Sequence, residues 1–131
     1  MRSEIWAAHT WMQTVSAYPN GPLAPPQCHF DRVRALGFGP TYTRLLHIGP
    51  GTHSEVKAVR EVFAPISHTV MTLSADEVGP IREAGFECEL GDMHDAPFEN
   101  GSFDLIFSNN VLEHAIAPHM ALLEHRRMLV A

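Results

Sequence analysis

Cysteine is scarce in this sequence: Cys28 and Cys88 stand sixty residues apart, with no CxxC or Cys/His finger spacing around either. Two such thiols specify neither a disulfide framework nor a zinc finger, and they make a reducing cytoplasm the expected compartment. Basic residues are also few, nine Lys and Arg against fifteen Asp and Glu, for a formal net charge of −6. That leaves no basic surface of the size on which phosphate neutralisation depends, so nucleic acid is not an expected partner. No apolar run approaches the roughly 18 residues of a membrane helix. The start, MRSEIWAAHTW, is interrupted by polar residues too often for a signal peptide. No membrane partner is expected either.

What remains is a composition that folds. With 131 residues, 45% hydrophobic and 18% charged, the chain has the size and apolar content of one globular domain. Nine histidines titrate near neutrality, so acidification toward about pH 6 erases much of the negative charge.

Ile5, Ala8, Met12 and Val15 recur at helical spacing, and YPNGPLAPPQ then stops the helix. Four prolines within residues 19–26 make that stretch an extended connector. Residues 1–40 thus read as a helical arm and Pro-rich connector, with a short helix through HFDRVRALGF at its end, and residues 41–131 as the main body. There TRLLHI reads as a buried strand and HSEVKAVREVF as a helix, with a stripe of Val56, Val59 and Val62/Phe63 that stops at Pro65. SHTVMTL, FECEL and SFDLIFS read as further strands, and ADEVGPIREAG as a short helix or turn broken by proline. APHMALLEHRRMLV reads as a helix with Ala121, Leu122, Met128 and Leu129 on one face. Strands alternating with helices predict an α/β fold: a Rossmann-like, open, mostly parallel sheet with helices on both faces.

Between the first strand and its helix lies the bend GPG. Gly49 and Gly51 let the chain turn sharply and approach a ligand closely, while the helix behind them offers free N–H groups to it. A GxG pair alone is as compatible with a plain turn. The usual corroboration, a carboxylate about 20 residues on that accepts from a ribose diol, is missing, because Thr72 stands there. Asp76 and Glu77 come later and reach a ribose only if the loop folds back.

The stretch GDMHDAPFENGSFDLIFSNNVLEHAIAPHMALLEHRRML resembles the central region of class I S-adenosylmethionine-dependent methyltransferases of the broad small-molecule type. Gly91, Asp92, Pro97, Phe98, Ser102, Phe103, Asp104, Leu112, Glu113, His114, Arg127 and Leu129 follow that family's pattern in order. The glycine bend resembles the family's first motif, with His47 in its acidic place and His53 in its third-glycine place. The resemblance implies S-adenosylmethionine as cofactor, with Gly49 and Gly51 beside its methionine part and Thr72 and Leu73 beside ribose and adenine. Asp92 and the Met93 backbone would meet the adenine edge, and Asn109 the methionine end. His47 either accepts from the cofactor's ammonium group or is a strand-end histidine satisfied by backbone.

His114 fits a pocket-lining role better than that of a general base, because methyl transfer can proceed by alignment alone. His114, His119 and His125 have poor metal-ligand spacing, and no metal is expected. His125 falls on the apolar helix face and reads as a packed core residue.

The resemblance also implies a seven-stranded sheet, of which the sequence supplies four strands, so the chain reads as truncated after the fourth strand and its helix. An open fourth-strand edge then calls for self-association or a partner. Three functions are compatible with these features: methyl transfer to a small-molecule or other non-nucleic acceptor, a catalytically weak binding or assembly module of the same fold, and another nucleotide-binding enzyme such as a dinucleotide oxidoreductase.

Overall fold

The computed structural model describes residues 43–51 and 53–131, with the backbone alone at His53; the expected arm and connector over 1–40 lie outside the described residues. The strand β1, Arg44–Ile48, leads through the glycine bend into the helix α1, His53–Phe63. Val56, Val59 and Phe63 form the buried stripe of α1, and Ala64 takes a positive φ of 43° to end the helix before Pro65. Then come β2, Ser67–Thr72, α2, Ala75–Glu83, and β3, Glu87–Leu90. The expected proline break does not interrupt α2: Pro80 sits inside it, and Arg82 fastens the helix to β3 by donating from Nε and Nη2 to the Cys88 carbonyl at 2.9 and 2.7 Å. After a long turn follow β4, Leu105–Ser108, a 3-10 turn, Leu112–His114, and α3, Pro118–Met128.

The four strands form one sheet in the order β3-β2-β1-β4, parallel throughout. Period-two alternation splits β1, β2 and β4 between two covered faces, whereas β3, at the edge of the sheet, buries only Cys88. Leu45, Leu105 and Phe107 meet Val59 and Phe63 of α1, and Val70 and Cys88 meet Val56, Ile81 and Phe86. On the opposite face Leu46, Ile48, Met71 and Ile106 pack with Ala121 and Met128 of α3. Cys88 is a free, buried thiol, and burial pushes its pKa up, against the attraction of Arg82. No described helix is long and apolar enough to cross a membrane.

Two sequence expectations shift at the end of the chain. SFDLIFS is a strand only from Leu105, because Asp104 is engaged elsewhere: it accepts the Thr43 and Arg44 backbone N–H groups at 3.1 and 2.9 Å, the Thr43 hydroxyl, and Arg44 Nη2 at 2.9 Å. Those bonds, led by the Arg44 side chain, hold its carboxyl down to about 2. Leu129 is not on the α3 face; it lies past the helix end in extended conformation and pairs with Phe103. His125 takes the buried place beside Ala121 and Met128, the packed position expected for it.

Under α1 the sheet encloses two stacked imidazoles, His47 and His68, with ring centroids 5.8 Å apart. Neither nitrogen of His68 has a hydrogen-bond partner, and its pKa is lowered to about 3, first by burial and then by His47 and Arg60. The unfolded chain therefore binds a proton at this histidine that the folded chain refuses, and stability falls as pH drops below the unfolded value of 6.5 toward 3. Between about pH 7 and about pH 5 this site alone costs about 2 kcal/mol. Urea denaturation across that range should show the decline in the wild type, and His68→Phe should flatten it; an unchanged slope in the variant would refute the assignment.

Candidate functional site

A parallel sheet places the carboxyl ends of all its strands on one rim. Here Ile48 pairs with both Met71 and Ser108, and Thr72 pairs with Leu90, so the residues that follow each strand emerge side by side. Backbone bonds fix the arrangement across strands: Gly49 N–H donates to the Met71 carbonyl at 2.8 Å, and Gly91 N–H to the Thr72 carbonyl at 2.9 Å. The glycine bend and the GDM triplet are therefore parts of one rim of the sheet. Of the residues singled out in the sequence, Gly49, Gly51, Thr72, Leu73, Asp92, Met93 and Asn109 meet there.

Gly49 is required twice over. Its φ is +62°, and an added Cβ would lie 2.7 Å from Cγ2 of Val111, the residue by which the segment after β4 folds over the bend. Gly91 has the same constraint from packing, since a Cβ there would meet Met71 Sδ and Pro97 Cδ at 2.7 Å. Gly51 differs: it is exposed, and an added Cβ would find only Glu55 Oε2 at 3.9 Å. Open space at a glycine on the rim is room for a ligand. Leu73 and Leu90, 65% and 52% exposed at the ends of β2 and β3, supply apolar surface beside it.

His47 is corrected as a cofactor contact. The ring is wholly buried under α1, where Nε2 bonds Glu55 Oε1 at 3.2 Å, and no backbone group satisfies Nδ1. The acidic group by the bend is Glu55, reaching back from the first turn of α1 to within contact range of Gly51. Thr72 stands at the end of β2 with its hydroxyl already engaged. Its hydroxyl gives its one hydrogen to Glu77 Oε2 at 2.5 Å and accepts from Ser74 N–H at 3.1 Å. The loop does fold back, and Glu77 in the first turn of α2 returns to the end of β2. Glu77 meets the condition set for it in the sequence, a loop that folds back, whereas Glu55 is not singled out there; its signal is an acid in the first turn of the helix.

Asp92 bonds His94 through one oxygen only. Oδ1 accepts from His94 N–H at 2.8 Å and from His94 Nδ1 at 2.6 Å, and these bonds hold its carboxyl below the usual carboxylate range. His94 Nε2 in turn accepts from Ala117 N–H at 3.3 Å. Oδ2 takes no part in that chain, and the side chain is 53% exposed, so an acceptor remains for a ligand. Met93 buries its side chain in the core, which leaves only its backbone for contact. Asn109 directly follows β4 and is half-buried, before Asn110 with φ +53°. Glu113, His114 and His119 are exposed, and among the described residues no three His, Cys, Asp or Glu side chains converge as a metal site.

The turn between β3 and β4 is stapled to α3. Arg127 donates to the Ala96 and Phe98 carbonyls at 3.2 and 2.7 Å, to Asn100 Oδ1 at 2.9 Å, and to Glu124 at 2.9 and 2.5 Å. Glu124 also accepts Ala96 N–H at 3.0 Å. This network explains why an arginine near the chain's end matters to a loop thirty residues earlier in sequence.

Residues 46–131 match the family model described as a methyltransferase domain. The chain belongs to this methyltransferase family. A curated relative from Streptomyces fradiae, a 37.1 kDa protein of transposon Tn4556, is 33% identical over 92 residues, covering 64% of this chain and 26% of its own length. Among solved structures, the S-adenosylmethionine-dependent methyltransferase of Mesorhizobium loti superposes with a TM-score of 0.62 at 20% identity, over 76% of this chain and 48% of its own. The [4+2]-cyclase SpnF superposes with a TM-score of 0.66 at 23% identity, over 97% of this chain and 55% of its own. The chain thus spans about a quarter of that curated relative and about half of these structures. The sheet is the incomplete Rossmann-like methyltransferase fold that the motifs implied, and the dinucleotide-oxidoreductase alternative falls with the family match.

The bend yields a stability test. Gly49→Ala should cost about 3 kcal/mol, combining left-handed backbone strain with the clash on Val111. Adding Val111→Ala should not recover all of it, because only the clash is relieved. Thermal denaturation of both variants measures this, and a Gly49→Ala protein as stable as wild type would contradict the geometry.

Proposed function

We propose that the rim binds S-adenosylmethionine and that the protein transfers its methyl group to a small-molecule or other non-nucleic acceptor. The observation that carries this reading is the convergence on one rim of the glycine bend, the end of β2 and the GDM turn, with three carboxylates spaced along it. The residues fit the cofactor's parts. Glu55 beside Gly51 offers negative charge to an ammonium group, Leu73 and Leu90 offer flat apolar surface to a purine, and Asp92 Oδ2 accepts from its amino group. When bound, the cofactor supplies a methyl group on a positively charged sulfur. The chain's part is then to align an acceptor with that methyl group and exclude water, a proximity effect that needs no fixed base. The net charge of −6 supports an acceptor other than nucleic acid.

A second reading, a binding or assembly module of the same fold without methyl transfer, is favoured by one finding: a cyclase shares this architecture. Fold alone does not choose between them.

Calorimetry with S-adenosylhomocysteine tests the binding site. Gly51→Val should leave the melting temperature nearly unchanged, because its Cβ makes only an ordinary contact with Glu55 Oε2 at 3.9 Å, and weaken binding at least about tenfold, or about 1.4 kcal/mol. Absence of binding by the wild type would end the cofactor assignment, and binding without turnover of any acceptor would favour the second reading.

The outer edge of β4 has no strand beside it among the described residues, since β4 pairs with β1 alone. Such an edge, apolar on both faces, is covered by a second copy or a partner in this reading. Sedimentation equilibrium should detect self-association or a bound partner; a monomer at all concentrations and without any partner would count against it.

A further inference from the structure

We infer that Glu77, held in place by Thr72, is the group that receives the ribose diol of the cofactor; this rests on the cofactor reading above. A diol presents two O–H hydrogens and needs acceptors. The group standing at the end of β2 cannot serve alone, since the Thr72 hydroxyl is 4% exposed as a residue, gives its hydrogen to Glu77, and already accepts from Ser74 N–H. A carboxylate accepts only, at about four lone-pair sites, of which Thr72 uses one. Glu77 is half-buried, so a bond to it is only partly in competition with water.

Its position follows from local structure. Ser74 is the N-cap of α2, and Glu77 N–H donates to the Ser74 carbonyl at 3.1 Å, which sets the first turn directly above the strand end. The Thr72 carbonyl meanwhile accepts from Gly91 N–H, which joins the strand end carrying the Thr72–Glu77 pair to the GDM turn, with exposed Leu73 and Leu90 at the ends of β2 and β3. The tether fixes one oxygen of a side chain that would otherwise sample several rotamers, and this pre-organises the acceptor. A carboxylate moved from strand to helix thereby keeps the chemistry for which a strand-end acid would serve. A purely structural tie between Thr72 and Glu77 would instead stabilise the loop and be indifferent to the hydroxyls of a ligand.

Two ligands separate these roles: S-adenosylhomocysteine and its 2′,3′-dideoxy counterpart, titrated calorimetrically into the full chain. Glu77→Gln should weaken binding of the first by about tenfold to a hundredfold, the range for hydrogen bonds to a charged group, and leave the second unchanged. Thr72→Val, which removes the tether and keeps the charge, should give a smaller loss with the same preference. Placing Thr72→Asp in the Glu77→Gln background should restore affinity for the diol and not alter the dideoxy ligand. Equal losses for both ligands, or none for either, would overturn the assignment. Should Glu77→Gln fail to fold, Thr72→Val, which keeps Glu77, carries the test by the same comparison. A wild type that binds neither ligand overturns the cofactor reading itself, whereas wild-type binding indifferent to Glu77 overturns this inference alone.

Discussion

Parallel pairing is the constraint from which the rest of the molecule follows. Because β3, β2, β1 and β4 run the same way, every crossover must travel back along a face of the sheet, and every strand must end on the same rim. The first consequence buries both faces and requires near-continuous apolar strands such as RLLHI and LIFS. The second brings together segments far apart in sequence, the glycine bend, the end of β2, the GDM turn and the residues after β4. Two backbone bonds, Gly49 to Met71 and Gly91 to Thr72, join neighbouring loops across that rim. A ligand there meets four chain segments held by one hydrogen-bonded ladder.

The same constraint explains how acids can leave the strands without leaving the site. A helix that follows a strand-end turn must start at the rim, so its first turn stands next to the residue it replaces. At β1 a buried histidine bonds Glu55 of α1; at β2 a buried threonine bonds Glu77 of α2. In both cases a side chain other than a carboxylate occupies the strand position and a glutamate from the next helix supplies the acid. The helix position also favours the charge, because the N-terminal end of a helix dipole is positive. The enclosed imidazole pair of His47 and His68 shows the cost: rings that fit an apolar environment by shape leave nitrogens unpartnered in it.

Much of this was legible in the sequence because it is carried by period and by close packing. Strands and helices announce themselves by alternation, and Gly49 and Gly91 by positions where no Cβ fits. The GDM turn and the Arg127 position could be read from the order of residues alone, though what Arg127 does, capping carbonyls at Ala96 and Phe98, could not. His47 departs from its motif role for a physical reason, its burial under α1. Motif alignment assigns a role to a position on the strand, whereas hydrogen bonding assigns it to whichever side chain reaches the same point in space. Leu129 was misplaced similarly: its spacing continued the helical stripe, but its backbone pairs with Phe103, and that bridge ends the helix.

The links beyond the rim show how it is coupled to the rest of the chain. Asp92 holds His94, whose second nitrogen accepts from Ala117 N–H at the N-cap of α3, where no side chain of the cap residue does that work. With Nε2 accepting, Nδ1 is the nitrogen that carries hydrogen toward Asp92, so the imidazole is oriented at both ends. At the other end of the same helix, Glu124 and Arg127 clasp residues 96–100, the turn that continues from Asp92. Both ends of α3 are thus tied to the segment carrying Asp92, and a displacement of that segment must either move α3 as a body or break charge-assisted bonds. Since α3 also covers the sheet face containing Ile48 and Met71, the residues before Gly49 and Thr72, the two halves of the rim share one rigid backing.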